Sequence, residues 1–456
     1  MKDDLKSQIN KFFYPKSVAI LGASRSPAKF GNLFLRAFLT NEFPGNIYPI
    51  NPKADEILGV EAHKNLIDIK DPIDLAIITT HPAENIKLVK DCVKKGIEAI
   101  IIFSAGYAEI GEAGREREKE LLSIIKGKAR VLGPNCVGIH SAPGRVSSFP
   151  ATSFDLDAEV AIISQSGYLT SLLTRTLTLR GIPVTFGVSL GNSIDLNICD
   201  FLEYFKAENN TKYIGIYLEG VSQGQRFIKL CKEMKGKKQL IIWKSGRTNI
   251  GKKAISTHTA SITGEDKIWN AIFNQYSIFR VNSAEEILNQ VIALQFSETM
   301  KGPKVGILGS QGGLTVTTAE NCEFYGIELA KLTDETKEKL RKAIPEFGTS
   351  VNNPVDISIA AAMNSKLYAD AGKIILKDQN VDILLINGTW MIDSLFIKYL
   401  LSLRKENDKP IFLIEPSIPE RLRSYKKLLN NKIGVSFTSF SFLRFLKSAI
   451  DSKIKI

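Results

Sequence analysis

Of the four histidines in 456 residues, His258 stands in the stretch AISTHTASITG, among small side chains with a glycine close behind. A core histidine keeps bulky apolar neighbours, whereas this one is unobstructed. Imidazole, with an ordinary pKa of about 6.5, is mostly uncharged at neutral pH and is a competent nucleophile. Once phosphorylated it is a high-energy carrier, and passage between a donor and an acceptor suits a lightly packed segment. Gly246, Gly251 and Gly264 bracket the histidine and could serve as hinges. Glu219, at the end of the apolar run YIGIYLEG, is placed to accept a hydrogen bond from one ring nitrogen. That would fix the tautomer and stabilise the charge that builds as the other nitrogen attacks phosphorus. In EVAIISQSGYLTSLL, the turn Ser164, Gln165, Ser166, Gly167 joins a buried strand to a helix. Its hydroxyls and the free amides of the helix start can cradle phosphate. Each residue also admits a plainer role, the glutamate as a solvated strand end and the serine as a helix cap.

A second ligand site is suggested near the N-terminus. SVAILGAS (17–24) is a buried strand ending in Gly22, Ala23 and Ser24, a small turn at a helix start. The dinucleotide pattern GxGxxG is not present there. The next strand, NIYPINP (46–52), leads into Asn51, Pro52 and Lys53 instead of the acid that would hold the ribose hydroxyls of NAD. A lysine at that end suits a nucleotide with an extra phosphate, either NADP or coenzyme A. LGPNCVGIH (132–140) supplies another tight loop; its Cys136, near His140, is more simply a packed thiol than a nucleophile. His63, His81 and His140 lack the spacing of metal ligands, so no metal site is expected, although His81 could line the nucleotide pocket.

These residues need strands that end where ligands bind. Short apolar runs alternate with helical patterns throughout, the signature of parallel sheets with crossover helices. DLAIITT (74–80), IEAIIIFSAG (97–106) and ARVLGPN (129–135) complete one doubly wound domain. A second series opens at AEVAIISQSG (158–167), and a third at KVGILGSQGG (304–313) with strands at VDILLING and PIFLIEP. The expected class is α/β with three doubly wound domains, over 1–145, 146–300 and 301–456. Gly309, Gly312 and Gly313 could form a further anion turn, a degenerate one or an interface. The net charge is +12, but lysines and acids are mixed and aromatics do not interleave with basic clusters, so nucleic acid is not the expected partner. Five scattered cysteines argue against disulfides and zinc. No apolar run is long enough to span a bilayer and the start lacks a signal-peptide pattern, so no membrane partner and a cytoplasmic location are expected.

The ordered series VAILGAS, KFGN, NIYPINPK, DLAIITT, FSAGYAEIGEAG and LGPNCVGI resembles the CoA-binding domain of ADP-forming acyl-CoA synthetases, relatives of succinyl-CoA synthetase. WKSGRTNIGKKAISTHTASITG resembles that family's phosphohistidine segment, with Thr257 and Ala260 where serine and glycine are usual. KVGILGSQGG and NNPVDIS resemble the third domain of its long α subunits, so the likeness spans about residues 10–450. The resemblance implies a Rossmann-like CoA-binding domain followed by two flavodoxin-like domains. It also implies a ligase, acetate–CoA ligase (ADP-forming), that converts acyl-CoA, ADP and phosphate to carboxylate, ATP and CoA through acyl phosphate and phosphohistidine. His258 and Glu219 would be catalytic; Ser164, Gln165, Ser166 and Gly167 would bind phosphate. Gly22, Ala23, Ser24, Asn51, Pro52, Lys53, Thr79 and Asn135 would bind coenzyme A. No stretch resembles an ATP-grasp module or a P-loop. ADP or ATP and Mg2+ are therefore expected on an ATP-grasp β subunit in an α2β2 assembly, with a small carboxylic acid and its CoA thioester as the other ligands. The rival expectation is a non-catalytic acyl-CoA sensor or a protein acetyltransferase scaffold on the same domains.

Overall fold

Strands covered on both faces need continuous apolar runs, and parallel sheets are built from such strands. In the computed structural model, which describes residues 2–150, 154–258, 264–359, 364–388, 394–414, 422–436 and 439–454, these runs form three five- to seven-stranded sheets. Two compact units result, one of residues 1–178 with 183–284, the other of 179–182 with 285–456.

The first sheet contains β1 (Ser17–Leu21), β2 (Asn46–Ile50), β5 (Leu75–Ile78), β6 (Ala99–Ile102) and β7 (Arg130–Leu132), all parallel in the order β2-β1-β5-β6-β7. A small hairpin of β3 (Glu56–Ile57) and β4 (Val60–Glu61) follows β2. Beyond it, His63 forms a single parallel bridge to Ile50 on the outer side of β2. Taking that bridge as a vestigial third strand, the spatial order is 3-2-1-4-5-6, that of a Rossmann sheet. Alternation along β1 divides two cores. Val18 and Ile20 join Phe12 of α1 (Lys2–Phe13) and Phe34 and Phe38 of α2 (Phe30–Thr40). Ala19 and Leu21 join Val89 of α3 (Pro82–Lys94) and Leu121 of α4 (Glu112–Ile125).

The second sheet begins earlier than the sequence suggests. The hairpin β8 (Ile139–Ser141) and β9 (Val146–Ser147), too short to stand out as an apolar run, straddles residue 145, and its first strand, within residues 1–145, pairs antiparallel with β11 (Val184–Ser189). The parallel strands β11, β10 (Val160–Ser164), β12 (Tyr213–Leu218), β13 (Gln239–Lys244) and β14 (Phe279–Val281) follow in the flavodoxin order 2-1-3-4-5. Their connections include α5 (Gly167–Leu179), α6 (Ile198–Ala207), α7 (Gly224–Met234) and α8 (Asn249–His258). The second unit repeats this order with β15 (Val305–Gly309), β16 (Val355–Asp356), β17 (Ile383–Asn387), β18 (Ile411–Ile414) and β19 (Gly434–Ser436). No helix among the described residues is long and apolar enough to cross a membrane.

The first two sheets share one core. Phe13 packs on Phe186 with ring centroids 4.6 Å apart, and Tyr204 Oη donates to Asn10 Oδ1. Residues 190–196 then run along the end of β7 like an added strand. The N–H groups of Asn192, Ile194 and Leu196 donate to the carbonyls of Pro134, Gly133 and Val131. Asp195 accepts from the Arg130 guanidinium at 2.8–3.1 Å and from Val131 N at 2.8 Å.

His140 belongs to this core and not to a reactive pair with Cys136. It is 1% exposed on β8, its Nε2 bonds Val184 O at 3.2 Å, and its ring stacks on Phe154. Burial pushes its pKa down to about 4. Cys136 lies 2% exposed with Sγ near the carbonyls of Leu132 and Ile102, and burial pushes its thiol up to about 12. Because the folded chain holds His140 neutral where the unfolded chain would protonate it, stability falls as pH drops from about 6.5 toward 4. Between pH 7 and pH 5 this group should remove about 2 kcal/mol. Chemical unfolding of His140→Leu should show a shallower acid-side loss than wild type by that amount.

Candidate active site

The turn after β1 is held open by its neighbours. Gly22 has φ +90°, and a Cβ there would lie 2.7–2.8 Å from the side chains of Thr80 and Thr79. Thr79 Oγ1 donates to Leu21 O, Asn51 Nδ2 donates to Ala23 O at 2.7 Å, and Ser24 Oγ accepts from Ser26 N. Gly31, in the first turn of α2, lies so close that its Cβ would sit 2.0 Å from Gly22 O. These contacts shape a cleft of about 1450 Å3 at the carboxyl ends of the strands, lined by Gly22, Ala23, Ser24, Asn51, Pro52, Thr79 and Asn135, with His81 at its wall. Lys29, Lys64 and Lys87 line it together with Asp68, Glu84 and Asp91. Lys53 is exposed and stands outside the lining; only its N–H is engaged, donating to Asn51 Oδ1. Lys64, brought beside the end of β2 by the bridge at His63, lines the cleft, and its Nζ donates to Asp55 Oδ1 at 2.6 Å. A size, a glycine turn and cations of this kind fit a phosphorylated nucleotide.

On the second sheet, Ser164 is fully buried at the end of β10, and its Oγ accepts from Ser166 N and donates to Ser166 O. Ser166 Oγ caps Leu169 N at the start of α5. Gln165 turns its amide oxygen to the N–H groups of Glu219 and Gly220, at 2.6 and 3.1 Å. Ser164 and Gln165 thus build the turn. Among the described residues no acceptor takes the N–H groups of Gly167 or Tyr168, which remain at the positive end of α5 for an anion.

Glu219, 4% exposed at the end of β12, receives a hydrogen bond from Tyr217 Oη at 3.4 Å. The neighbouring strand end carries Lys244, 2% exposed, whose Nζ donates to Glu219 O at 2.8 Å and to Ser245 O. Burial first, then the charge of Arg280, brings Lys244 down to about 8. A buried lysine that fastens the backbone of both strand ends was not legible, because QLIIWKSG reads as a strand closing on a solvated lysine. His258 closes α8 in the connection after β13, but its side chain, like residues 259–263, lies outside the described residues. Gly251 lies in the first turn of α8, its N–H bonded to Thr248 Oγ1. Gly246 and Gly264 do adopt positive φ.

A smaller chamber of about 490 Å3 adjoins the cleft. Gln165, Ser166, Gly167 and Glu219 form one side, and Phe103, Phe34 and Phe149 the other. Phe30, Phe103 and Asn135 line both spaces. These phenylalanines read in sequence only as core residues. In the second unit, the glycine turn before α11 (Gly312–Phe324) faces a carboxylate, since a Cβ on Gly312 would lie 3.4 Å from Asp356 Oδ2. A second anion there would be repelled.

Residues 16–142 match the family described as a CoA binding domain, and residues 157–294 match the succinyl-CoA ligase-like flavodoxin domain. The α subunit of acetate–CoA ligase [ADP-forming] II from Pyrococcus furiosus is 36% identical over 380 residues, 83% of this chain and 81% of that one. The chain belongs to the ADP-forming acetate–CoA ligase family. Another family member, acetate–CoA ligase [ADP-forming] from Methanocaldococcus jannaschii, is 37% identical over 75% of this chain, which spans 48% of that protein's length. Among solved structures, dinucleotide-forming acetyl-coenzyme A synthetase 1 of Ca. Korarchaeum cryptofilum, in complex with phosphate and ADP, superposes with a TM-score of 0.85 at 30% identity, covering 100% of this chain and 97% of that one.

The close approach at the first turn gives a direct test. Gly31→Ala would force a methyl group onto main chain that has nowhere to move, and should cost about 1–3 kcal/mol. The expected readout is a lower midpoint of chemical unfolding with an unchanged denaturant slope.

Proposed function

We propose that the chain is the α subunit of an ADP-forming acyl-CoA synthetase, acting on acyl-CoA, ADP and phosphate to give carboxylate, ATP and CoA. The observation that carries this reading is the continuity of the nucleotide cleft with a chamber bounded by the Ser166–Gly167 turn and Glu219, through Phe30, Phe103 and Asn135. In function the chain would divide into a CoA-binding part (1–145), a part carrying the phosphate turn and histidine (146–300) and a third part (301–456).

Phosphate held by the N–H groups of Gly167 and Tyr168 and by Ser166 Oγ would attack the thioester carbonyl carbon; the C–S bond breaks and CoA leaves as the thiolate. A nitrogen of His258 then attacks phosphorus, the P–O bond to the acyl group breaks, and the carboxylate departs. Glu219, accepting from the other ring nitrogen, would stabilise the charge on the imidazole. These contributions are positioning and electrostatic stabilisation in a partly closed site. Phosphohistidine would pass its phosphoryl group to ADP, held with Mg2+ on an ATP-grasp β subunit in an α2β2 assembly; the naming of the Pyrococcus relative as a subunit alpha supports a separate partner. A cytoplasmic location agrees with five free, buried cysteines.

Incubation with acetyl-CoA and labelled phosphate should leave acid-labile label on the chain. His258→Ala should abolish it while CoA still binds, and Glu219→Gln should slow labelling by about 10²-fold. Label that persists on His258→Ala defeats the mechanism. Titration of CoA and dephospho-CoA assigns the ribose phosphate: Lys64→Ala should weaken CoA about tenfold and spare dephospho-CoA, with a smaller effect from Lys53→Ala. Equal losses for both ligands remove the assignment to Lys64.

A further inference from the structure

We infer that Lys244 is a positioning residue for phosphoryl transfer, its charged amine holding Glu219 and the two ends of the His258 connection in one arrangement. This rests on the proposed reaction, which needs the glutamate and the imidazole to meet in a fixed geometry. Lys244 ends β13, 2% exposed, and its register partner on β12 is Leu218, the neighbour of Glu219. Its Nζ donates to Glu219 O at 2.8 Å and to Ser245 O, while Ser245 N donates to Leu218 O at 2.9 Å.

The connection leaves and returns over this one amine. At its start, Gly246 turns the chain with positive φ directly after Ser245. At its far end Gly264, also at positive φ, packs on Trp269 of α9 (Asp266–Gln275), where a Cβ would lie 3.0 Å from Trp269 Nε1. The buried Trp269 ring in turn faces Lys244, with Nζ 5.3 Å from the ring centroid, a cation–π contact. Ion pairs close the base: Lys252 of α8 meets Glu265 at 2.8 Å, and Asp266 meets Arg247 at 3.8 Å and Arg280 of β14. The charged groups around the amine are thus Glu219 on β12, Lys252 on α8, Asp266 on α9 and Arg280 on β14. Burial, and then the charge of Arg280, bring the amine down to about 8. An uncharged chain of the same length would fill this space more cheaply, since a buried ammonium is costly, and titratable groups so perturbed gather at functional sites. The charge is present below pH 8 and is lost as pH rises through it. The neutral amine keeps two N–H donors, but not the charge that makes such hydrogen bonds about twice as strong or the attraction to the Trp269 face.

The test is the rate at which the full chain takes acid-labile label from acetyl-CoA and labelled phosphate, followed from about pH 6.5 to about pH 9.5. Wild type should lose rate as pH passes about 8. Lys244→Met, which keeps the length of the side chain without its charge, should label at least about tenfold more slowly at neutral pH, with no such alkaline loss. Its binding of CoA shows that the variant is folded. Lys244→Arg should restore the rate and carry it past pH 8, because a guanidinium keeps its proton. A lysine that merely fills space would leave the alkaline loss in place in every variant. Labelling by folded Lys244→Met at the wild-type rate, an alkaline loss that survives in either variant, or a wild-type rate that does not change across pH 8 overturns the inference and leaves the proposed reaction standing. Should Lys244→Met fail to bind CoA, the Lys244→Arg profile decides: a plateau extended past pH 8 supports the inference, and a loss at the wild-type pH overturns it. Absence of label from wild type at every pH overturns the reaction beneath it as well.

Discussion

The geometry of the site depends on the seam at which residues 190–196 run along the end of β7. Two crevices on two sheets can cooperate only if the sheets cannot rotate against each other. Here three main-chain hydrogen bonds in alternating register, with the Asp195 carboxylate spanning Arg130 and Val131 N, remove that freedom. Gly191 is required at this seam, because a Cβ there would lie 2.1 Å from Pro134 O. The result is that Asn135, from the first domain, faces the same chamber as Gln165 and Ser166, from the second. A hinge between these domains would separate the crevices; the shared core and the seam instead make them walls of one site.

Within that frame, charge is arranged by proximity. Gln165 spends its amide oxygen on the backbone of Glu219 and Gly220, and Lys244 holds the carbonyl of the same glutamate. The main chain of Glu219 is thus fixed, and its side chain, which lines the chamber, accepts from Tyr217 Oη. In the proposed reaction, phosphate binding would fall to main-chain amides at the positive end of α5, which need no reorganisation when an anion arrives.

The strands that carry the site were legible because buried parallel strands have a strong compositional signature. β1, β5, β6, β10, β12, β13, β15, β17 and β18 coincide with apolar runs visible in the sequence. The hairpin β8–β9 and the short strands β14, β16 and β19 were not, since two or three residues carry no periodicity and owe their pairing to the neighbour. The turns at Gly22 and Ser164 could be read from residue type, because helix starts that bind anions need small residues. The chamber could not. Phe30, Phe103 and Phe149 lie far apart in sequence, and an aromatic that lines a cavity looks the same in sequence as one that fills a core. Lys64 was missed for a related reason: a single-residue bridge at His63 brings it to the cleft, and nothing local announces that contact.

Cys136 gains a meaning from its surroundings. The residue is among those lining the chamber that would handle thioesters, where a thiolate could capture the acyl group by sulfur-to-sulfur exchange and leave the protein acylated. With the thiol pushed up to about 12 and directed at main-chain carbonyls, almost none of it is ionised at neutral pH. In the proposed reaction, seclusion of that one atom would guard the chain against becoming a dead-end substrate of its own chemistry.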